Sequence, residues 1–344
     1  MKRKILAIAL SFILCVGSGT VAFATEGIAI NNRSEQIAND IENITGVDGI
    51  NQNIKQTKNS FIVKGENNDI SIPKDINNSI CIKGRNSSDV EMTLPDEILD
   101  SEGVVTDGGT IVFNSESNAS VSVQPLVENF DGNMFDGIRS VITIENEKAP
   151  REYTFGYKLE QGHKLISAKE YSGENTEEIY IVDSDNNIIA VIDSAWAKDN
   201  KGKDVKTYYR IEGNNLIQRV EFDENTAFPV IADPTVHKNK TYVKYLTKSE
   251  VRKVYNSLKS GSAGYGYVAT TLGLTGYGLV PSIIATAGSL HLDKLATQYN
   301  DKWGQMKEGQ YLKVTTTLRY RNGGKNSGYV YSGETLKIVN KKGA

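Results

Sequence analysis

The sequence predicts an α+β, multidomain protein: an N-terminal antiparallel β-rich module, then a small basic domain with an apolar helical hairpin and a C-terminal β-hairpin. Three observations predict it. Short apolar alternations separated by turn residues recur between residues 140 and 222, the two signs of charge are segregated along the chain, and residues 260–290 carry no charge at all. With 344 residues and a 39% hydrophobic fraction, the chain has the length of roughly two or three domains and the composition of a folded protein.

The first element is a targeting segment. Lys2, Arg3 and Lys4 precede an apolar run from Ile5 to Val16, and Ala22-Phe23-Ala24 has the small-x-small spacing cut by signal peptidases, so cleavage is expected between Ala24 and Thr25. The run is shorter than the ~20 residues of a membrane-spanning helix. Residues 1–24 are therefore read as a signal peptide and the protein as secreted and extracellular. Cleavage removes Cys15 and leaves Cys81 as the only thiol, so stability is expected from packing without an intrachain disulfide.

Residues 25–130 form an acidic region rich in Asn and Ser, read as short strands or partly disordered chain. Within it, Ile37, Ile41 and Ile44 are spaced three and four apart, which predicts a short amphipathic helix over Ser34–Ile44. Residues 131–236 read as an acidic β-rich module of sandwich or rolled-sheet type. Strands are predicted at Ser140–Ile144, Tyr153–Leu159, Ile179–Val182, Ile188–Ile192, Thr207–Ile211 and Leu216–Phe222, joined by Asn, Asp and Gly clusters that favour hairpin turns. Trp196 is expected to be at least partly buried.

Ala195-Trp196-Ala197-Lys198-Asp199, then Gly202, Val205, Tyr209, Gly213-Asn214, Leu216, Gln218 and Phe228-Pro229-Val230, end at Ala232-Asp233-Pro234. In this spacing, Ser140 to Thr235 resembles an acidic β-rich module of uncharacterised secreted proteins from Gram-positive bacteria, whose C-terminal regions vary after the Ala-Asp-Pro junction. The resemblance implies secretion and a modular division, and it carries over no catalytic residue. Ala232, Asp233 and Pro234 form a possible processing junction.

The charge changes sign at that point. Residues 1–236 hold 22 Lys+Arg against 37 Asp+Glu, net −15, and residues 237–344 hold 17 against 5, net +12. Thr247 and Glu250 have capping-box spacing ahead of the apolar stripe Val251, Val254, Tyr255 and Leu258, which predicts a helix ending near Gly261. The uncharged segment 260–290 predicts two apolar helices turning near Gly276–Pro281. Tyr265, Tyr267, Leu272, Leu274, Tyr277, Leu279, Ile283 and Ile284 are its possible membrane contacts, and burial in the domain core is the alternative. Gln310–Arg321 and Tyr329–Val339 predict the closing hairpin around Asn322-Gly323-Gly324.

Chemical motifs are scarce. The three histidines, His163, His237 and His291, have no metal-ligand spacing, and neither a HExxH pattern, a paired-cysteine motif nor a phosphate loop occurs. Asp183-Ser184-Asp185-Asn186-Asn187 has the alternating carboxylates of a calcium loop, but Ile188 and Ser194 stand where that loop needs glycine and glutamate, so a hairpin turn is expected. No G-x-S-x-G elbow is present. The expectation is a non-enzymatic protein without metal or cofactor. Lys238, Lys240, Lys244, Lys248, Arg252 and Lys253 lie near Tyr242, Tyr245 and Tyr255, yet no nucleic-acid-binding motif accompanies them. The expected partner is an anionic membrane surface or cell-wall polymer rather than nucleic acid. Charge segregation then gives two functional expectations: a precursor whose acidic module masks a cationic, membrane-active region of bacteriocin or toxin type, or a structural protein that binds wall polymer at the cell surface.

Overall fold

The computed structural model describes residues 18–47, 49–65, 68–84, 87–98, 101–114, 118–126, 129–130, 133–134, 137–173, 175–272, 289–321 and 328–343. Helix α1 (Ser18–Thr45) precedes β1 (Ile54–Gln56), β2 (Ser60–Lys64), β3 (Asn68–Pro73), β4 (Ile80–Gly84), β5 (Val90–Met92), β6 (Gly103–Val105), β7 (Ile111–Phe113) and β8 (Ala119–Leu126). Next come β9 (Asn129–Phe130), β10 (Asn133–Met134), β11 (Gly137–Ile144), β12 (Glu152–Lys158), β13 (Lys164–Ser167) and the short helix α2 (Ala168–Ser172). The chain continues through β14 (Ile179–Val182), β15 (Ile188–Ile192), β16 (Ala197–Lys198), β17 (Lys206–Glu212), β18 (Asn215–Glu221), β19 (Val230–Ala232) and β20 (Thr235–Lys238). The last elements are β21 (Lys240–Thr247), α3 (Lys248–Lys259), α4 (Ser262–Thr271), α5 (Ser289–Gln305), β22 (Tyr311–Arg321) and β23 (Gly328–Val339).

The protein is α+β, dominated by antiparallel sheets, with a β-rich N-terminal region. An eight-stranded sheet runs β1-β2-β3-β4-β5-β12-β18-β17, and a ten-stranded sheet follows the path β13-β14-β15-β20-β11-β8-β7-β6 with β19 and β16 beside β11. Their facing side chains form one core, with Phe61, Ile72, Ile80, Tyr153 and Phe155 from the first sheet and Phe113, Val121, Ile142, Ile181 and Val236 from the second. Alternation along the strands assigns the faces. Ile111 and Phe113 point into this core, while Val112, Val141 and Ile231 point outward and are covered by Ile37, Ala38 and Ile41 of α1. The predicted stripe of Ile37, Ile41 and Ile44 is thus the docking face of a helix longer than expected. Trp196 packs at the edge of the same cluster.

The pairing runs across the division expected near residue 130. β5 pairs with β12, and β8 pairs with β11 over eight residues, so residues on either side of 130 share both sheets and one core. The composition shift that suggested a boundary reflects loops and exposed faces, whereas the backbone ladder ignores side-chain chemistry. Asp183–Asn187 is the expected hairpin turn: the Asp183 carboxylate accepts from the backbone N–H groups of Asp185 and Asn187 at 3.0 and 2.7 Å, and Asn186 sits at φ 64°.

After β20 the chain enters a second core. The sheet β21-β22-β23 places Tyr242, Leu246, Leu312, Val314 and Leu318 against Val251, Val254 and Leu258 of α3, Val268 and Leu272 at α4, and Leu292, Leu295 and Tyr299 of α5. The α3 capping box forms as predicted, with Glu250 N–H on the Thr247 hydroxyl and Thr247 N–H on the Glu250 carboxylate. Residues 273–288 and the turn Asn322-Gly323-Gly324 lie outside the described residues, as does Met1–Gly17. The expected junction Ala24–Thr25 falls within the backbone of α1.

Candidate functional site

The expected junction between acidic and basic parts is a closed, polar seam. Val230–Lys240 is buried without interruption, because β19 and β20 both lie beside β11 in the ten-stranded sheet and the C-terminal core sits over their end. Ala232-Asp233-Pro234, read from the sequence as a possible processing junction, is therefore enclosed: Ala232 and Asp233 are 0% exposed. Proline ends the β19 ladder here, yet Ser140 N–H still bonds the Pro234 carbonyl at 2.8 Å and the chain re-enters the sheet at Thr235.

Asp233 is the least expected group in the seam. The Thr235 hydroxyl donates to its Oδ2 at 2.8 Å, its backbone N–H donates to the Trp196 carbonyl at 3.4 Å, and its backbone carbonyl accepts from Tyr209 Oη at 3.4 Å. Burial pushes the carboxyl up to about 8; the Thr235 hydrogen bond and Arg139 work against the shift, and Asp193 adds to it. Burial and the neighbouring Asp233 hold the Tyr209 hydroxyl well above its ordinary value, so it stays a donor. Asp193 also meets Nε2 of His237 at 3.0 Å, and the His237 ring stacks on Tyr320 of β22 at 3.7 Å.

One residue further, Lys238 is 0% exposed. Its Nζ donates to Ser87 Oγ at 2.9 Å and to the Ser88 carbonyl, tying β20 to the β4–β5 hairpin. Burial lowers the ammonium to about 8, with Asp89 and Cys81 opposing the shift. The Lys238 carbonyl accepts from Tyr329 Oη at 2.9 Å, and Lys240 lies over the Tyr329 ring at 4.3 Å. Asn239 N–H bonds the Ile189 carbonyl at 3.0 Å. Aromatic stacking and neutral hydrogen bonds therefore join the C-terminal core to the sandwich at this point.

The basic cluster read from the sequence is largely engaged in packing. Lys238 and Lys240 are buried, Lys248 donates to the Met306 carbonyl at 2.6 Å, and the Arg252 guanidinium lies 4.8 Å from Tyr255 and 4.6 Å from Trp303. Lys244, Lys253, Lys294, Lys307, Lys337 and Lys341 remain exposed around the C-terminal unit. Of the expected membrane contacts, Leu272 is buried in the C-terminal core, Tyr265 packs partly against it and Tyr267 is exposed. Leu274, Tyr277, Leu279, Ile283 and Ile284 lie outside the described residues. Among the described residues no helix is long and apolar enough to cross a membrane, and no group of three His, Cys, Asp or Glu side chains is placed to hold a metal.

Sequence reasoning missed Asp193, Tyr209, His237 and Lys238 as a constellation because they are brought together by strands distant in the chain. The signal that was present is the unbroken apolar run Val230-Ile231-Ala232, the pattern of a strand covered on both faces. Compared with known protein families, curated proteins and solved structures, the chain finds no match.

Proposed function

We propose that this protein acts outside the cell as a non-enzymatic binder of anionic, phosphate-bearing surfaces, with residues 237–344 as a basic binding domain carried by the acidic sandwich. The observation that carries the reading is the distribution of charge and apolar surface together. Residues 237–344 have a net charge of +12, six of their lysines named above are exposed, and, among the described residues, apolar side chains from α3, α4, α5 and β21–β23 pack into a core of their own. A basic residue close to an anionic surface contributes about 1 kcal/mol before salt screening. Several such lysines together suffice for adhesion without insertion.

The masked, membrane-active precursor is the second reading, favoured by the uncharged run 260–290 with cationic flanks. Leu272 and Val268 could reach a membrane only if the C-terminal core opened, since both are buried within it. Co-sedimentation of the mature full-length chain with phosphatidylglycerol vesicles, phosphatidylcholine vesicles and isolated cell walls tests both. Salt-sensitive pelleting with the anionic vesicles or walls, lost in a Lys244→Glu/Lys253→Glu/Lys294→Glu variant and without dye leakage, supports adhesion. Leakage from the anionic vesicles supports the precursor reading. Equal behaviour with neutral and anionic vesicles, together with no pelleting on walls, refutes both.

A further inference from the structure

The Asp233–Pro234 bond is closed to a protease, whose active site needs an extended and accessible segment, but it is open to attack by its own side chain. Proline supplies a tertiary amide nitrogen, which carries no hydrogen and leaves more readily once protonated than an ordinary peptide nitrogen. We propose that the protein cuts its own backbone between Asp233 and Pro234, with the Asp233 side chain as the nucleophile.

The surroundings of the bond suit that step. Asp233 Oδ2 is fixed by the Thr235 hydroxyl at 2.8 Å, while Oδ1 is buried with no hydrogen bond of good geometry among the described residues, the Trp196 backbone being the other polar group that acts on the carboxyl. An unpaired buried carboxyl oxygen is uncommon and costly. The carbonyl under attack is the one that accepts from Tyr209 Oη, so the hydroxyl points at the oxygen on which negative charge develops. A side-chain oxygen of Asp233 adds to its own main-chain carbonyl carbon and closes a five-membered anhydride. The carbon–nitrogen bond to Pro234 breaks, and the carboxyl proton passes to the proline nitrogen, which leaves as a secondary amine. One water then opens the anhydride, restoring the side-chain carboxyl and leaving a new α-carboxyl on Asp233. The net change is hydrolysis of one peptide bond, with no other reactant.

Proton supply is set by the groups that face Asp233. These are Asp193 after β15, which in turn meets His237, together with Arg139 on β11, Tyr209 on β17, Thr235 on β20 and the Trp196 backbone. Burial keeps the carboxyl protonated up to about pH 8, so the reacting form is the resident one at neutral pH. Cutting is expected to slow as the pH rises through that value. The two products stay assembled, because β20 remains paired to β11 through Gly137–Arg139 and to β15 through Ala190–Ile192. A clip at this bond gives the basic C-terminal unit its own N-terminus while the seam still holds it.

The test uses the purified full-length chain, incubated with protease inhibitors at pH 6 and pH 9 and followed by intact mass and denaturing gels. The expected result is a fragment beginning at Pro234, appearing at a rate independent of protein concentration, faster at pH 6, and co-eluting with its partner under native conditions. Asp233→Ala should remain whole. Pro234→Ala, which keeps the carboxyl but supplies a poorer leaving nitrogen, should be at least tenfold slower. Tyr209→Phe should slow the reaction by about tenfold, less than the hundredfold typical of a well-placed oxyanion donor because its contact is long. A wild-type chain that stays whole at pH 6 while its thermal transition shows it to be folded overturns the proposal. So does equal cutting in Asp233→Ala. Neither result depends on whether the protein binds anionic surfaces.

Discussion

Replacing Lys238 by methionine is expected to change how stability depends on pH. In the unfolded chain this ammonium titrates near 10.5, whereas burial lowers it to about 8 in the folded protein. The unfolded state therefore binds the proton more tightly. Below pH 8 the folded state carries the full penalty, about 3 kcal/mol from the difference in affinity. Between pH 8 and 10.5 the folded protein releases the proton while the unfolded chain keeps it, so stability rises with pH in that window. From pH 8 to 9, below the range in which tyrosines titrate, the gain is about 1 kcal/mol. Lys238→Met keeps the apolar stem and removes the titration, so its rise over this interval should be smaller by that amount. The two tryptophans allow the sandwich to be followed alone: Trp196 packs at the α1 face and Trp303 in the C-terminal core. Urea midpoints of a Trp303→Phe protein, with and without Lys238→Met, provide the comparison. Identical pH slopes in the two proteins would show that Lys238 is solvated and that the packing described for the seam is wrong.

Three further outcomes are expected. Thr247→Ala removes the side chain that caps the Glu250 N–H and should cost about 1 kcal/mol, seen as faster amide exchange in the first turn of α3. Ile41→Ala leaves a cavity where α1 meets Val112, Val141 and Ile231, and should lower sandwich stability by roughly 2–5 kcal/mol in the same urea assay; no change would mean that α1 is not docked there. Gly264→Ala places a methyl group against the Ser257 backbone where α4 crosses α3, and should lower the Trp303-reported transition while leaving the Trp196-reported one in place.

The sequence is most legible where one local rule decides the outcome. The β14–β15 hairpin follows from two short apolar runs around Asp183–Asn187, whose side chains make the turn bonds themselves. The α3 capping box follows from Thr247 and Glu250 at the required spacing, and the docking face of α1 from three isoleucines at helical spacing. Legibility ends where backbones from distant parts of the chain pair. Nothing in Val90–Met92 announces that it lies beside Tyr157 and Lys158, because any extended segment can enter a ladder and only the whole core selects the partner. Lys238 and Asp233 fail for a related reason. A lysine in a basic stretch and an aspartate before proline both read as surface chemistry, and only the surrounding strands reveal that each is fully enclosed.

Charge segregation acquires a more definite meaning once the seam is considered. If simple attraction between an acidic and a basic part held the two together, their opposed charges would be expected to meet there. Asp89 does act on the Lys238 ammonium, but the direct contacts are of another kind: Tyr320 stacks on His237, Tyr329 bonds the Lys238 carbonyl, and Lys238 itself is turned towards two serines. Such contacts depend on shape and on satisfied hydrogen bonds, so salt weakens them less than it weakens exposed ion pairs. The exposed lysines beyond the seam keep their long-range field, and the acidic sandwich sets an opposing field around the rest of the molecule. On the proposed function, an approaching anionic surface would be met by the C-terminal unit first, with the sandwich held away from it by repulsion. The same two fields that would make a masking complex salt-labile become, in a covalently and sterically fixed pair, a means of orientation.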